Sequence, residues 1–257
     1  MAERAPGPPR VGETELARWF YAGRYAELIA ATFDSGAAPD PRDVGFVVGA
    51  LTFVDRVDEA RMAYDIHLAS GAADPRTVAA GRFFLGLAAA RAGYFERAAA
   101  LLVRAAFPDR HAPDPWVRAL VFQGLACHGY FTGRYPGAAR LALRALQAAL
   151  EAGFAYAAML GTDLRGHSLL EMGQLQRGIA LLEQANQQAR RLGLVNNAYA
   201  VDSSIATYAT RFDPRPEALE RVEALLRKRG HDSYSQRGLY TEAAVIRALR
   251  GRASDAQ

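Results

Sequence analysis

A pattern that recurs at a constant interval constrains this chain more than any other feature. Gly93, Gly133 and Gly173 lie 40 residues apart, and a further step of 40 reaches Asp213. Self-similarity at a fixed period is the signature of a repeat architecture, in which each unit is one supersecondary motif that stacks on its neighbours. The chain is therefore expected to be a repeat array rather than a globular domain with a single centre.

The residues around each repeated glycine predict a helical hairpin. A glycine between two apolar helical runs supplies the left-handed backbone position that ends the first helix. Five places later stands a small residue, which lets the two helices of a pair approach closely: Ala98, Ala138, Gly178 and Ala218. A pair containing a small residue precedes each repeat: Leu85-Gly86, Leu125-Ala126, Arg165-Gly166 and Ile205-Ala206.

Weaker copies of the pattern extend the array in both directions. Upstream are Gly23-Arg24-Tyr25 and Asp55-Arg56-Val57, and downstream is Gly251-Arg252-Ala253. Alanine and leucine dominate the composition, which favours helix throughout. The sequence therefore predicts an all-α protein of about six antiparallel helix pairs and the start of a seventh.

Helix starts and stops agree with this register. Aspartate is a good N-cap and proline suits the first helical position, so Asp40-Pro41, Asp74-Pro75, Asp114-Pro115 and Asp213-Pro214 are expected to open helices. Gly71, Gly153, Gly193 and Gly230 lie where second helices should end. The predicted helices are 12–22, 25–34, 41–54, 57–70, 76–92, 95–106, 115–131, 135–152, 155–172, 175–192, 196–211, 215–229 and 234–249.

The repeated positions resemble the tetratricopeptide repeat (TPR) family, most clearly over residues 79–110. The usual unit of that family is about 34 residues, and the longer period here is similar to the repeats of bacterial transcriptional and signalling regulators. The stretch from Gly166 to Gly193 looks most like that group. The resemblance implies a right-handed superhelical solenoid over residues 12–257 that serves as a scaffold, and residues 1–11 are expected to be a disordered N-terminal segment.

The last repeat stops at Gln257, two or three residues into its second helix. Repeat arrays normally end in a completed helix with a polar outer face. The sequence is therefore expected to be the N-terminal part of a longer bacterial regulator, truncated at its C-terminal end.

The family resemblance also implies where a partner would bind. In tetratricopeptide proteins the first helix of each pair lines the concave groove and contacts the ligand. Aromatic side chains beside polar ones are typical of interaction surfaces. In register, the candidate partner-binding residues are Phe83, Leu87, Arg91, Gln123, Cys127, Tyr130, Phe131, Asp163, His167, Glu171, Ser203, Thr207 and Arg211.

A catalytic site is not expected. Cys127 and His167 occupy equivalent repeat positions, with Asp163 one turn before the histidine. Stacked helices are spaced about 8–10 Å apart, which is too far for the hydrogen bond that a cysteine–histidine nucleophile needs. The histidines show no zinc-ligand spacing. We therefore expect no enzyme activity, no metal and no cofactor.

Bulk properties narrow the partner and the compartment. The 31 basic and 27 acidic residues are interspersed and give a net charge of +4, whereas phosphate recognition needs a continuous basic stripe. One cysteine fits a reducing compartment, and no run is long enough to span a membrane. We expect a cytoplasmic regulatory or scaffold module that binds a protein or peptide. Binding to nucleic acid or to a membrane is not expected. The alternatives are a self-assembly module that forms a homo-oligomer, and a small-molecule sensor or enzyme.

Overall fold

The computed structural model describes residues 14–36, 39–71, 74–212 and 216–227, together with 240, 243–245 and 248. All regular elements in these ranges are helical. The α-helices are α1 (Glu15–Tyr21), α2 (Tyr25–Ile29), α3 (Val44–Phe53), α4 (Val57–Ala69), α5 (Pro75–Arg91), α6 (Phe95–Ala99), α7 (Pro115–Phe131), α8 (Tyr135–Glu151), α9 (Ala155–Glu171), α10 (Leu175–Arg191), α11 (Val195–Phe212) and α12 (Pro216–Leu226).

Consecutive helices pack against each other along the chain, from α1 on α2 to α11 on α12. The prediction of an all-helical array is therefore confirmed over the described residues. The predicted boundaries of the helices from α7 to α10 agree with the structure to within one residue.

The turn glycines adopt the backbone conformation that the repeat predicts. Gly93, Gly133 and Gly173 have φ angles of 81°, 75° and 75°, a region that a side chain disfavours. Asp55 has a φ of 63° at the corresponding turn of the second pair. Gly71, Gly153 and Gly193 also have positive φ angles and follow second helices, as expected. Asp213 and Gly230 lie outside the described residues.

The small residues after these turns are buried between the helices. Ala98 and Ala138 are fully buried. Gly166 of α9 and Gly178 of α10 face each other so closely that a methyl group added to Gly178 would lie 3.0 Å from the carbonyl oxygen of Gly166. The predicted role of these positions, which is close approach of the paired helices, is confirmed there.

Two of the predicted helix caps form and one does not. The Asp74 carboxylate accepts a hydrogen bond from the Thr77 N–H at 3.1 Å, and Asp114 accepts one from the Trp116 N–H at 2.9 Å. Asp40 instead accepts hydrogen bonds from the backbone and side chain of Arg42. This local turn delays the start of α3 to Val44, so the predicted start at residue 41 is wrong.

The expected helices 25–34 and 95–106 are less regular than predicted. Both begin as short α-helices and widen into π-helices, at Ala30–Asp34 and Ala100–Arg104. A 3₁₀-helix at Phe107–His111 then precedes α7. In the second π-helix Leu102 is 1% exposed and packs against Gly86 and Gly124, so it lies between α5 and α7.

The N-terminal hairpin, α1 with α2, contacts helices that are distant in sequence. The ring of Tyr156 at the start of α9 lies 6.0 Å from that of Phe20 and 5.4 Å from that of Tyr21. A methyl group added to Gly23 would lie 2.7 Å from the Asn196 amide nitrogen on α11. This contact of residues 20–25 with Tyr156 and the start of α11 is named the seam.

Several sequence predictions fall on residues outside the described ranges. These are the disordered segment 1–11, most of the helix predicted at 234–249, and the seventh repeat beginning at Gly251. Within the described part of the chain, no helix combines the length and apolar character needed to cross a bilayer.

Candidate functional site

Helices α5, α7, α9 and α11 are the first helices of consecutive pairs, and they carry all the predicted binding residues. On α9, Asp163, His167 and Glu171 follow one another at intervals of four residues, which places them on one helix face. Thr207 and Arg211 on α11 share the same spacing. The structure brings some of these residues together and buries others.

A cluster of rings forms where α7, α9 and α11 end. The His167 ring lies 5.8 Å from the Tyr130 ring and 5.8 Å from the Tyr208 ring. The Tyr208 hydroxyl donates a hydrogen bond to Glu171 Oε1 at 2.5 Å and lies 3.4 Å from the Tyr130 hydroxyl. Phe131 packs edge-on against Tyr130 at 5.5 Å.

These residues and Arg211 are named the aromatic patch: Tyr130, Phe131, His167, Glu171, Tyr208 and Arg211. Tyr130, Phe131 and His167 are half-buried, whereas Glu171 and Arg211 are exposed. The Arg211 guanidinium lies 5.7 Å from the Tyr208 ring, within the range of a cation–π interaction. The patch therefore presents apolar ring surface, one acid and one base side by side.

Tyr208 is a functional candidate that the sequence register missed. The Tyr208 hydroxyl is buried and lies next to the Tyr130 hydroxyl and the Glu171 carboxylate. Burial has the largest effect, and all three raise the pKa of Tyr208 well above its usual range. The equivalent positions in the two preceding repeats are His128 and Ser168, and none of these three positions is among the predicted binding residues. The sequence does contain a signal for Tyr208. It is a bulky aromatic residue next to Thr207, and a helix face is wide enough to include both positions.

A second concavity lies at the seam and is named the seam recess. Its walls come from α2, α3, α5, α9 and α11. It is lined by Tyr25, Phe53, Phe83, Leu87, Arg91, Tyr156, Leu160, Asn196, Asn197 and Ala200. Three predicted residues, Phe83, Leu87 and Arg91, therefore belong to this recess and not to the aromatic patch.

Arg91 lines the recess and also lies near Asp163 of α9 and Cys127 of α7. Its guanidinium is 5.8 Å from the Phe53 ring. It also lies close enough to Asp163 and Cys127 to lower the pKa of both, although burial has the larger effect and raises each. The Cys127 thiol has a pKa raised to about 12, so it is not a thiolate at neutral pH.

The interface between α7 and α9 contains buried polar atoms. Gln123 is 2% exposed and donates a hydrogen bond from Nε2 to the Leu160 carbonyl at 3.1 Å. Among the described residues, Gln123 Oε1 and Asp163 Oδ1 have no hydrogen-bond partner. Burial raises the pKa of Asp163, and His167, whose Nε2 lies 3.5 Å from Asp163 Oδ1, opposes this shift.

The structure corrects the expectation that the first-helix residues share one open surface. Phe83, Gln123, Cys127 and Ser203 are at most 5% exposed. Helices α5, α7 and α9 pack side by side, so residues of α5 and α7 that point between them are covered. Thr207 is half-buried on α11.

A comparison with protein-family models gives no match, and a comparison with curated proteins gives no significant match either. Within the described residues, no group of three or more histidine, cysteine, aspartate or glutamate side chains is placed to hold a metal ion.

Proposed function

We propose that this protein is a protein-binding module, in which the aromatic patch holds an extended segment of a partner. The observation that carries the proposal is the half-buried Tyr130–Phe131 pair, flanked by the exposed Glu171 and Arg211. Rings anchored on a rigid scaffold present contact area at little entropic cost, and aromatic residues dominate binding hot spots.

The position of the patch supports the same reading. Tyr130, His167 and Tyr208 come from three consecutive first helices, which are the helices that contact ligands in the family that the repeat resembles. The contacts Tyr130–His167 and His167–Tyr208 fix the relative positions of these helices. A segment that crosses the patch would therefore meet a preformed surface.

The charges on the patch indicate the kind of segment that fits. Glu171 and Arg211 are both exposed and carry opposite charges. A uniformly acidic or uniformly basic segment would be repelled by one of them. The best fit is a segment with an apolar residue over the rings and neighbouring residues that are polar or of mixed charge.

The test is selection from a random peptide library displayed on phage, with the full chain as the target. Enriched peptides are synthesised, and their affinities are measured by fluorescence anisotropy. The test variant replaces Tyr130 and Phe131 by alanine. The matched control replaces Tyr94 and Phe95, an adjacent tyrosine–phenylalanine pair that is exposed outside the patch.

We expect the patch variant to weaken peptide binding at least tenfold and the control variant to leave it unchanged, with the same helical circular dichroism in both. If only the control variant lost peptide binding, the binding site would lie outside the aromatic patch. A selection that enriches no binding peptide would overturn the proposal.

A further inference from the structure

We propose that the outer side of α4 binds an amphipathic helix of a partner protein, one whose apolar stripe is flanked by basic residues. This side of the helix is named the α4 surface and consists of Asp58, Met62, Asp65, Ile66 and Ala69. It shares no residue with the aromatic patch, so the interaction goes beyond the proposed function. The exposure of the α4 surface, its charge and its difference from the other second helices indicate this partner.

The α4 surface exposes apolar side chains in a line. Met62 and Ile66 are 49% and 63% exposed, and they lie one turn apart on the same face of the helix. Ala69 is also exposed and continues the line toward the end of α4. An apolar stripe at this spacing is what a helix presents to a partner helix. The flexible side chain of Met62 can adapt to the shape of that partner.

The opposite face of α4 is the one that anchors the helix in the fold. Tyr64 and His67 are 5% and 6% exposed, and the Tyr64 hydroxyl donates a hydrogen bond to the Val78 carbonyl oxygen at 3.4 Å. With this face buried, α4 packs on α3 and α5. Met62 and Ile66 are therefore not needed for the core, and exposed residues of this kind can be replaced with little effect on stability.

The repeat does not require large apolar residues at these two positions. Counted from the residue with positive φ that precedes each second helix, Met62 and Ile66 of α4 have counterparts in α8 and α10. These counterparts are exposed and are charged, polar or small: Arg140, Arg144, Ala180 and Gln184. Among the three helices, only α4 has large apolar residues at both positions. An exposed apolar group that packing does not explain indicates an interaction surface.

The charge around α4 differs from that of the rest of the chain. Residues 54–70, which comprise α4 and its flanks, contain four acidic and two basic residues. The equivalent residues 132–148 around α8 contain three basic residues and no acidic residue, and the whole chain has a net charge of +4. The α4 surface is thus part of an acidic region on a basic protein. Complementary charge favours a partner that is positively charged.

Two carboxylates lie along one side of the apolar stripe. Asp58 and Asp65 are both exposed and follow the same side of Met62 and Ile66. Arg61 pairs with Asp65 at 3.1 Å, but both side chains are about half exposed, and such surface pairs are weak. Lysines beside the stripe of a partner helix can therefore reach both carboxylates while its apolar residues cover the methionine and the isoleucine.

The experiment measures the fluorescence anisotropy of labelled synthetic helices of about 18 residues, or five turns, during titration with the full chain. The first probe has leucines at intervals of three and four residues, flanked by lysines. The second has glutamate in place of every lysine. The third has the composition of the first in scrambled order, so it keeps the charge and lacks the stripe. We expect the first probe to bind saturably and about tenfold or more tightly than the others, because it alone matches both stripe and charge.

The test variant replaces Met62 and Ile66 by glutamine. The matched control replaces Arg140 and Arg144 by glutamine at the equivalent positions of α8. All four side chains are exposed, so both variants should keep the helical circular dichroism of the parent. The test variant should bind the leucine–lysine helix about tenfold or more weakly, because it loses the centre of the contact. The control should bind it as tightly as the parent.

The charge of the α4 surface is tested separately. Asp58→Asn together with Asp65→Asn should weaken binding of the leucine–lysine helix, and raising the ionic strength from about 0.05 to 0.5 M should weaken it in the parent, since salt screens exposed charges. Unchanged binding in both cases would overturn the choice of a basic partner.

Four further outcomes would overturn the proposal. The first is the absence of saturable binding by the leucine–lysine helix, and the second is equal binding of the leucine–glutamate helix. The third is unchanged binding in the Met62→Gln, Ile66→Gln variant. The fourth is a dimer in sedimentation that this variant dissociates, because a second copy would then be the occupant. The Tyr130→Ala, Phe131→Ala variant should bind the leucine–lysine helix normally, so failure at the α4 surface and failure at the aromatic patch are distinguishable.

Discussion

The run from α7 to α10 and the N-terminal region from α1 to α6 follow the same repeat but fill the space between helices differently. Each of the four helices in the central run has 17 residues. Their interfaces contain small residues, such as the fully buried Ala142 and Ala145 of α8. In the N-terminal region aromatic rings are added to such small residues, as where Gly49 lies against Phe20 and Phe84, and two helices widen into π-helices.

The difference shows two ways of setting the distance between helices. In the central run, backbones approach closely where glycine or alanine lies at the interface, as between Gly178 and Gly166. In the N-terminal region, Phe20 alone makes ring contacts within 6.0 Å with six other aromatic residues, including Phe84 and Tyr156. Large rings leave fewer equivalent arrangements, and the helices of this region differ in length and geometry.

The largest expected effect comes from removing the centre of the aromatic region. Phe20→Ala should lower the free energy of unfolding by about 3–5 kcal/mol, because it leaves a cavity among rings that cannot collapse fully. Urea unfolding measured by circular dichroism checks this. Phe107→Ala, at a residue that is 46% exposed, should cost less than about 1 kcal/mol. Similar losses in the two variants would show that the ring cluster around Phe20 does not stabilise the N-terminal region.

The stability of the central run should be more sensitive to substitutions that enlarge a side chain than to substitutions that shorten one. Gly178→Ala should cost about 1–3 kcal/mol, because the new methyl group would lie 2.5 Å from Leu170 Cγ and 3.0 Å from the Gly166 oxygen. Gly137→Ala, on α8, is the matched control, since nothing lies within 4 Å of its added methyl group. It should stabilise the chain by about 0.5–1 kcal/mol. Thermal unfolding of both variants gives the sign.

A smaller difference is expected between an aspartate that caps a helix and one that does not. Asp114→Ala removes the cap of α7 and should cost about 1 kcal/mol, whereas Asp40→Ala should cost less than about 0.5 kcal/mol because Asp40 only orders a turn. Equal costs in urea unfolding would show that the Asp40 turn contributes as much as a cap.

The contribution of Asp114 should also depend on pH. Burial raises the pKa of Asp114, but hydrogen bonds from Arg76 and the Trp116 N–H outweigh it and lower the pKa overall. The stabilisation is therefore complete above the unfolded pKa of about 3.9 and is lost as the pH falls through the lower folded value. The difference between wild type and Asp114→Asn should shrink in this acidic range.

The smallest effect should have the opposite sign. Burial raises the pKa of Asp163, so the folded state binds its proton more tightly than the unfolded state does. This contribution is complete below the unfolded pKa and is lost as the pH rises through the folded value. Asp163→Asn should therefore raise the melting temperature slightly at pH 7 and not in acid. Asp65→Asn, on the exposed side of α4, should show no such gain.

The sequence predicted the central run well because its signals are local. Glycine at a positive φ, a small residue five places later and an Asp-Pro cap each act within one hairpin, and each is found at Gly133, Ala138 and Asp114. The π-helices were not predicted, because their residues are ordinary helix formers. In the second π-helix, Leu102 packs between two other helices, a contact that no local pattern encodes.

The candidate site was predicted only in part for the same reason. The register placed Tyr130, His167 and Glu171 on one face, and the structure brings them together around Tyr208. The sequence register could not show that Arg91 and Phe83 would line a separate recess. That recess depends on the N-terminal hairpin reaching α9 and α11, a contact between residues that are far apart in the chain.

The seam has a consequence for the way in which this protein unfolds. A linear repeat array has only nearest-neighbour interfaces, so it can lose its end units one at a time. Here the rings of Phe20 and Tyr21 also contact Tyr156. Separating the first pair from the array therefore costs contacts with the fifth, and closing this long loop is a slow, non-local step in folding. We therefore expect the first five pairs to unfold together, whereas an open array of the same length could lose its first pair separately.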